Sequence, residues 1–238
     1  MFIPSFIFLR HGQSCQNLVR KLRELNKLNP DADINELVYD ATLTESAIPE
    51  SKRIGLELAE WIEKENLNVK FVCSSPMIRA IETAVYMTGI SPIVKEKPVY
   101  VMPYLREVDS KRKKNTVKHV DKKFPLREIQ YQKEYLTKTG IIDRVRFDYV
   151  ERHEDLRKQP GNISEFIRWF IKKSITDFKQ NDVVVVVCHS GVMKQYFGSG
   201  FTNNNGFIIR SITEEIPLSK AKSNLKCSED RCNSACNV

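Results

Sequence analysis

Residues 181–191 read NDVVVVVCHSG, and the five consecutive valines at 183–187 decide the fold. A β-branched run without polar alternation suits a strand buried on both faces, the environment of a central strand in a parallel sheet. It is far too short to cross a bilayer, which takes about 20 apolar residues. Asn181 and Asp182 lead into the run, and His189, Ser190 and Gly191 follow it. Open α/β sheets carry their chemistry at the carboxyl ends of the strands, which is where His189 falls.

A second histidine has the same setting. Residues 2–9 are rich in Phe and Ile and run straight into the polar stretch that begins Arg10, His11, Gly12. Without a basic start or a small-residue cleavage site, the segment reads as a first strand rather than a signal peptide. A cytoplasmic protein with no membrane segment is expected. Leu18, Leu22, Leu25 and Leu28 then repeat at helical spacing, ended by a loop around Pro30. A second helix is expected from Ser51 on the spacing of Ile54, Leu58, Trp61 and Ile62. Residues 69–73 form a short apolar strand. Ser74, Ser75 and Pro76 are expected to cap the helix after it, with Pro76 in its first turn. Residues 99–102 suggest another strand. Asn162 and Glu165 have capping-box spacing before Phe166, Ile167, Phe170 and Ile171. Strands alternating with helices predict an α/β fold, an open, mostly parallel sheet with helices on both faces.

With 238 residues, 41% of them hydrophobic, the chain can bury one sizeable core, and 29% charged residues exclude disordered and fibrous classes. One catalytic domain is expected over 1–218. Within it, 108–160 has charge runs and few apolar groups, and reads as an inserted, partly helical lid that sets substrate specificity. Residues 219–238, rich in Lys, Ser, Asn and Cys, read as a flexible polar tail. Cys15, Cys73 and Cys188 are expected to be reduced thiols packed near strand ends. Cys227, Cys232 and Cys236 lack the paired spacing of a zinc site. The net charge of +8 is concentrated at 106–127, where nine Lys or Arg face three Asp or Glu. A solvated face and a rim that attracts an anionic substrate both fit this field. The run at 111–114 is accompanied by no nucleic-acid reader motif, so no nucleic-acid partner is expected.

Four positions on separate segments fall beyond apolar stretches: Arg10 with His11, Arg79 in SSPMIRAIET, Glu107 in LREVDS, and His189. A phosphate ester presents charged oxygens to cationic donors, a phosphorus to a nucleophile, and a leaving oxygen that needs a proton. This set supplies each, without a metal or cofactor. His119 and His153 lack such a context and are assigned to the surface.

Three strings carry a family resemblance. FLRHGQSCQN at 8–17 has Arg-His-Gly with Asn17 five residues after the Gly. SSPMIRAIETA at 74–84 and VVVVVCHSGVM at 183–193 follow in order. Together they resemble the histidine phosphatase superfamily, which includes cofactor-dependent phosphoglycerate mutases and many acid and protein phosphatases. The resemblance implies that His11 takes the phosphoryl group, that Arg10, Asn17, Arg79 and His189 hold its oxygens, and that Glu107 is the general acid. Asp109, two residues on, is the alternative acid. It further implies a substrate that is a phosphorylated small molecule or a phosphoprotein. Two departures stand out. Of the family's Leu-Thr-x-x-Gly, Leu43 and Thr44 are present but Ala47 replaces the Gly, which predicts a rebuilt loop. The mutases' Trp before the Asn is here Gln16, which favours a phosphatase over a phosphoglycerate-type mutase. A noncatalytic phosphate-binding scaffold is the remaining alternative.

Overall fold

In the computed structural model, residues 4–25, 39–91, 94–109, 116–173, 177–198 and 207–210 are described. The strands are β1 (Ser5–Arg10), β2 (Asn68–Ser74), β3 (Val99–Val101), β4 (Val145–Arg146), β5 (Asp182–Cys188) and β6 (Phe207–Arg210). They form one sheet in the order β4-β3-β2-β5-β1-β6. The valine strand β5 lies between β1 and β2 and is parallel to both, and every one of its residues is buried. The first five strands run parallel, as the alternation of elements predicts. β6, which pairs antiparallel with β1, has no counterpart in the sequence reading.

The helices among the described residues are α1 (Cys15–Glu24), α2 (Ala47–Lys64), α3 (Ile78–Gly89), α4 (Val117–Lys123), α5 (Ile129–Lys138), α6 (Asp148–Glu151), α7 (Glu154–Lys158), α8 (Ile163–Lys173) and α9 (Ser190–Phe197). Side-chain alternation along the strands splits the core in two. Val183, Val185 and Val187 join Ile7 and Leu9 under Ile54, Leu58 and Ile62 of α2 and Ile81 and Ala84 of α3. Val184, Val186 and Cys188 join Phe6 and Phe8 under Phe166 and Phe170 of α8 and Val192 of α9. Helices therefore cover both faces. One irregularity adjusts the pattern: β2 bulges between Val69 and Phe71, so Val69 and Val72 share one face while Phe71 and Cys73 share the other.

Several local expectations need correction. The leucine repeat does form α1, but the helix stops at Glu24. Leu18 and Leu22 are half-buried and Leu25 is exposed, so the buried position of α1 is Gln16. α3 begins at Ile78 with Met77 as N-cap and no side-chain cap, leaving Pro76 outside it. α2 begins at Ala47, four residues before Ser51. Its first amide donates to Thr44 O at 3.0 Å, so the missing Gly is a helix start. Asn162 caps α8 by accepting from Glu165 N at 3.2 Å, whereas the Glu165 side chain turns to Arg168. His119 and His153 are half-buried rather than exposed, and His153 packs edge-on against Trp169.

Within 108–160, the described residues 116–160 are woven into the body of the protein. β4 extends the sheet by pairing with β3, and Leu136, Val145, Phe147 and Val150 join the larger core cluster. Leu28, Pro30, the basic run 111–114, the tail 219–238 and its three cysteines lie outside the described residues. Cys15, Cys73 and Cys188 are free thiols, and burial raises Cys73 and Cys188 well above the ordinary thiol range. Among the described residues no helix is long and apolar enough to cross a membrane.

Candidate active site

Parallel register gathers the site at one edge of the sheet. Arg10 pairs with Cys188, and Ser74 pairs with both Val187 and Val101. The ladder continues one step past the strands: His11 N donates to Cys188 O at 3.0 Å and Ser75 N to Val187 O at 2.9 Å. His11, Ser75 and His189 are thus brought level, and the two imidazoles lie 4.9 Å apart, centroid to centroid.

His11 is buried and held from both sides. Its Nδ1 is 2.7 Å from Gly12 O, so Nδ1 carries the proton and donates to that carbonyl. Its Nε2 accepts from Arg79 Nε at 3.2 Å. The ring is therefore neutral, with its Nε2 lone pair turned toward the guanidinium. Burial, then Arg79, then Arg10 push its pKa well below the usual imidazole value, and the bond to Gly12 only partly opposes them. Gly12 is pinned in turn, its N–H donating to Thr83 Oγ1 at 3.0 Å.

Arg79 is buried in the first turn of α3, and among the described residues its Nη1 has no hydrogen-bond partner. A buried guanidinium nitrogen without an acceptor carries the full cost of desolvation, which an arriving anion relieves. Burial lowers the pKa of Arg79 to about 10, with Glu107 and Asp40 opposing. Arg10, at the end of β1, is half-buried and is likewise lowered by burial, with Glu107 opposing.

His189 stands at the N-terminus of α9. Its Nε2 is 2.7 Å from Ser75 Oγ, and its Nδ1, 4.0 Å from Glu107 Oε2, is too distant for a hydrogen bond. Burial, then Arg79, then His11 push its pKa well below the usual value. Glu107 sits on the loop after β3, six residues past the strand. Its Oε1 accepts from Val108 N at 2.9 Å and from Gly191 N at 3.1 Å. Gly191 is required there, because a Cβ would lie 2.4 Å from that oxygen and 2.1 Å from Val108 O. Burial raises the Glu107 carboxyl above the ordinary range against the pull of Arg79.

Two predicted positions turn out differently engaged. Asn17 is the third residue of α1, and its Oδ1 accepts from Ser14 N at 3.1 Å and Ser14 Oγ at 2.9 Å, closing a capping box. Asp109 pairs with Lys123 Nζ at 2.6 Å. The sequence reading missed Ser75 and Thr83, although both lie within the string around Arg79.

His11, Glu107 and His189 offer one ligand atom each within 4.8 Å of one another, a donor set that can hold a metal ion. Arg79 and Arg10 set the field, however. Arg79 already donates to His11 Nε2, and two guanidiniums disfavour a cation and favour an anion.

The sequence matches the histidine phosphatase superfamily (branch 1) over residues 6–204. The chain belongs to that family. Membership supports phosphatase-type chemistry, and hydrolysis in general, for this protein. Comparison with curated proteins finds no match. Solved structures similar to this family member include the ecdysone phosphate phosphatase of Bombix mori in complex with tungstate, at 18% identity and TM-score 0.46, covering 82% of this chain and 76% of that one. The Entamoeba histolytica phosphoserine phosphatase in complex with 3-phosphoglyceric acid is 17% identical at TM-score 0.41, covering 87% and 89%. A mycobacterial glucosyl-3-phosphoglycerate phosphatase in complex with inorganic phosphate is 17% identical at TM-score 0.42, also covering 87% and 89%.

Proposed function

We propose that the protein hydrolyses phosphate monoesters through a phosphohistidine on His11, with no metal. The observation that carries this reading is the Arg79 Nε to His11 Nε2 hydrogen bond beside an Arg79 Nη1 that lacks an acceptor among the described residues. A neutral nucleophilic nitrogen and a cationic side chain with a donor to spare are then joined in one site, which suits attack on a phosphoryl group.

A phosphate entering this space takes over the donors of Arg79, with Arg10 and His189 on its other oxygens. Asn17 donates to it through its amide nitrogen, since its oxygen serves the helix cap. His11 Nε2 attacks phosphorus and the ester P–O bond breaks. The leaving oxygen takes a proton from Glu107, whose raised pKa suits a general acid. Water then attacks the phosphohistidine, giving its proton to the Glu107 carboxylate. The P–N bond breaks, phosphate leaves, and His11 returns to the neutral form. Substrates are phosphorylated small molecules or phosphoproteins.

Rapid mixing with phosphoesters, followed by mass detection, should place one phosphoryl group on His11 and release inorganic phosphate. His11→Ala should lose both, with turnover down on the order of 10⁴-fold or more. No adduct and no release across a panel of sugar phosphates, phosphoglycerates and phosphopeptides would overturn the reading. Return of the group to a second phosphoglycerate would make the protein a mutase.

A further inference from the structure

The N-cap of α3 is Met77, whose side chain caps nothing, yet this helix carries Arg79. Its first amide is satisfied from far away: Ile78 N donates to Asp40 Oδ1 at 3.1 Å. Asp40 is buried, with φ at +47°, an uncommon left-handed conformation for a residue with a Cβ. Its other oxygen accepts from Gln132 Nε2 at 2.7 Å and Arg127 N at 3.2 Å, while Gln132 Nε2 also donates to Pro76 O at 2.7 Å. One turn into α3, Glu82 returns the contact. It accepts from Leu43 N at 2.7 Å through Oε2 and from the Tyr135 hydroxyl at 2.8 Å through Oε1.

The same short loop is also sewn to the segment that follows His11. Thr44 N donates to Gln13 O and Cys15 N to Thr42 O, both at 3.0 Å, and Ser14 bridges Leu43. Residues 40–44 therefore bond on one side to the nucleophile loop and on the other to the arginine helix. We propose that this loop is a brace that fixes the distance between His11 and Arg79, with Asp40 and Glu82 as positioning residues that act through Arg79. The proposal rests on the phosphohistidine reading for its chemistry. The charge of Asp40 also supports the Arg79 cation, and Arg79 in turn lowers the Asp40 carboxyl against the rise due to burial.

A double-mutant cycle with Arg79→Lys tests it, using p-nitrophenyl phosphate turnover and calorimetric binding of inorganic phosphate. Asp40→Asn places an amide N–H among three donors, because Asn cannot accept on both sides. It should lower kcat/KM by on the order of 10–100-fold, the scale of a misplaced catalytic group. In the Arg79→Lys background the same change should cost less than about threefold, because the coupled partner is already gone. Glu82→Leu should follow Asp40→Asn. Glu82→Gln should restore most of the activity, since its oxygen still accepts from Leu43 N and the Tyr135 hydroxyl can turn to accept. Losses that multiply in full in both backgrounds overturn the brace.

If Asp40→Asn does not fold, Tyr135→Phe enters the cycle as the milder change, with the same pattern expected. If the wild-type protein binds phosphate but turns nothing over, the hydrolase reading fails. The phosphate affinities then decide the brace, a loss confined to the Arg79 background supporting it and an equal loss in both overturning it. A wild-type protein that binds no phosphate at millimolar concentration overturns both.

Discussion

Among the described residues three arginines are fully buried, and they divide between two regions that treat them differently. In the segment around 106–158, both terminal nitrogens of each guanidinium have acceptors. Arg106 Nη2 donates to Phe124 O at 2.6 Å, and its Nη1 donates to Lys158 O at 2.9 Å and meets Asp121 at 2.7 Å. Arg157 meets Glu154 at 2.7 Å, Gln132 Oε1 at 3.1 Å and the Arg127 carbonyl. At the carboxyl ends of the strands, Arg79 donates to an imidazole nitrogen and leaves Nη1 without an acceptor among the described residues. A guanidinium that ends on carbonyls and carboxylates is an internal tie. One that ends on a nucleophile and keeps a buried donor without an acceptor is suited to receive an anion.

The contrast can be sharpened first at the acid. Glu107→Gln keeps an oxygen for Val108 N and Gly191 N but can neither give nor take a proton. Turnover should fall about 10²–10⁴-fold. The wild-type rate should decline as pH rises through the raised Glu107 pKa, and that limb should vanish in the variant, as a pH–rate profile would reveal. A limb that persists would assign it to another group.

Next, the two kinds of arginine should differ in stability. Arg106→Leu strands the buried Phe124 carbonyl and Arg157→Leu the buried Gln132 side chain, so each should lose about 1–3 kcal/mol by urea denaturation. Arg79→Leu removes a cation that is only partly satisfied, and should cost far less or stabilise the fold while removing phosphate binding. Equal losses at all three positions would erase the distinction.

The smallest effect concerns the histidines. Both have pKa values held well below the ordinary 6.5, so on acidification the unfolded chain takes up protons that the folded protein refuses. Folding stability should therefore fall as pH drops below about 6.5, by up to about 1.4 kcal/mol per pH unit for each histidine, until the folded values are reached. Above that range the two histidines contribute no pH dependence. The raised carboxyls of Asp40, Glu82 and Glu107 work in the opposite sense, because the folded state holds their protons more tightly. His189→Asn isolates the first effect and should flatten the decline between pH 6.5 and 5.5 in urea melts.

The valines at 183–187, the Phe and Ile of β1 and the helical spacing of Ile54 and Leu58 made the sheet and its cover readable, because periodicity records which faces are buried. His11, Arg79 and His189 were readable because their strings follow strands whose ends must meet. The strand β6 and the course of 116–160 were not, since each depends on partners distant in sequence. Leu136 and Val145 look isolated among charges, yet both pack in the main core. Asp40 gave no local signal at all, and its importance arises from three donors that come from two other parts of the chain.

By itself the sequence determined that a valine strand would be buried on both faces and that two histidines would stand at the ends of parallel strands. Hydrophobic pattern fixes those outcomes locally. Only the tertiary structure decided that Arg79 would donate to His11 Nε2 and that Asp40 would cap a helix it does not belong to. Hydrogen bonds of that kind are directional and span tens of residues, so they exist only once the packed sheet has brought their partners within about 3 Å.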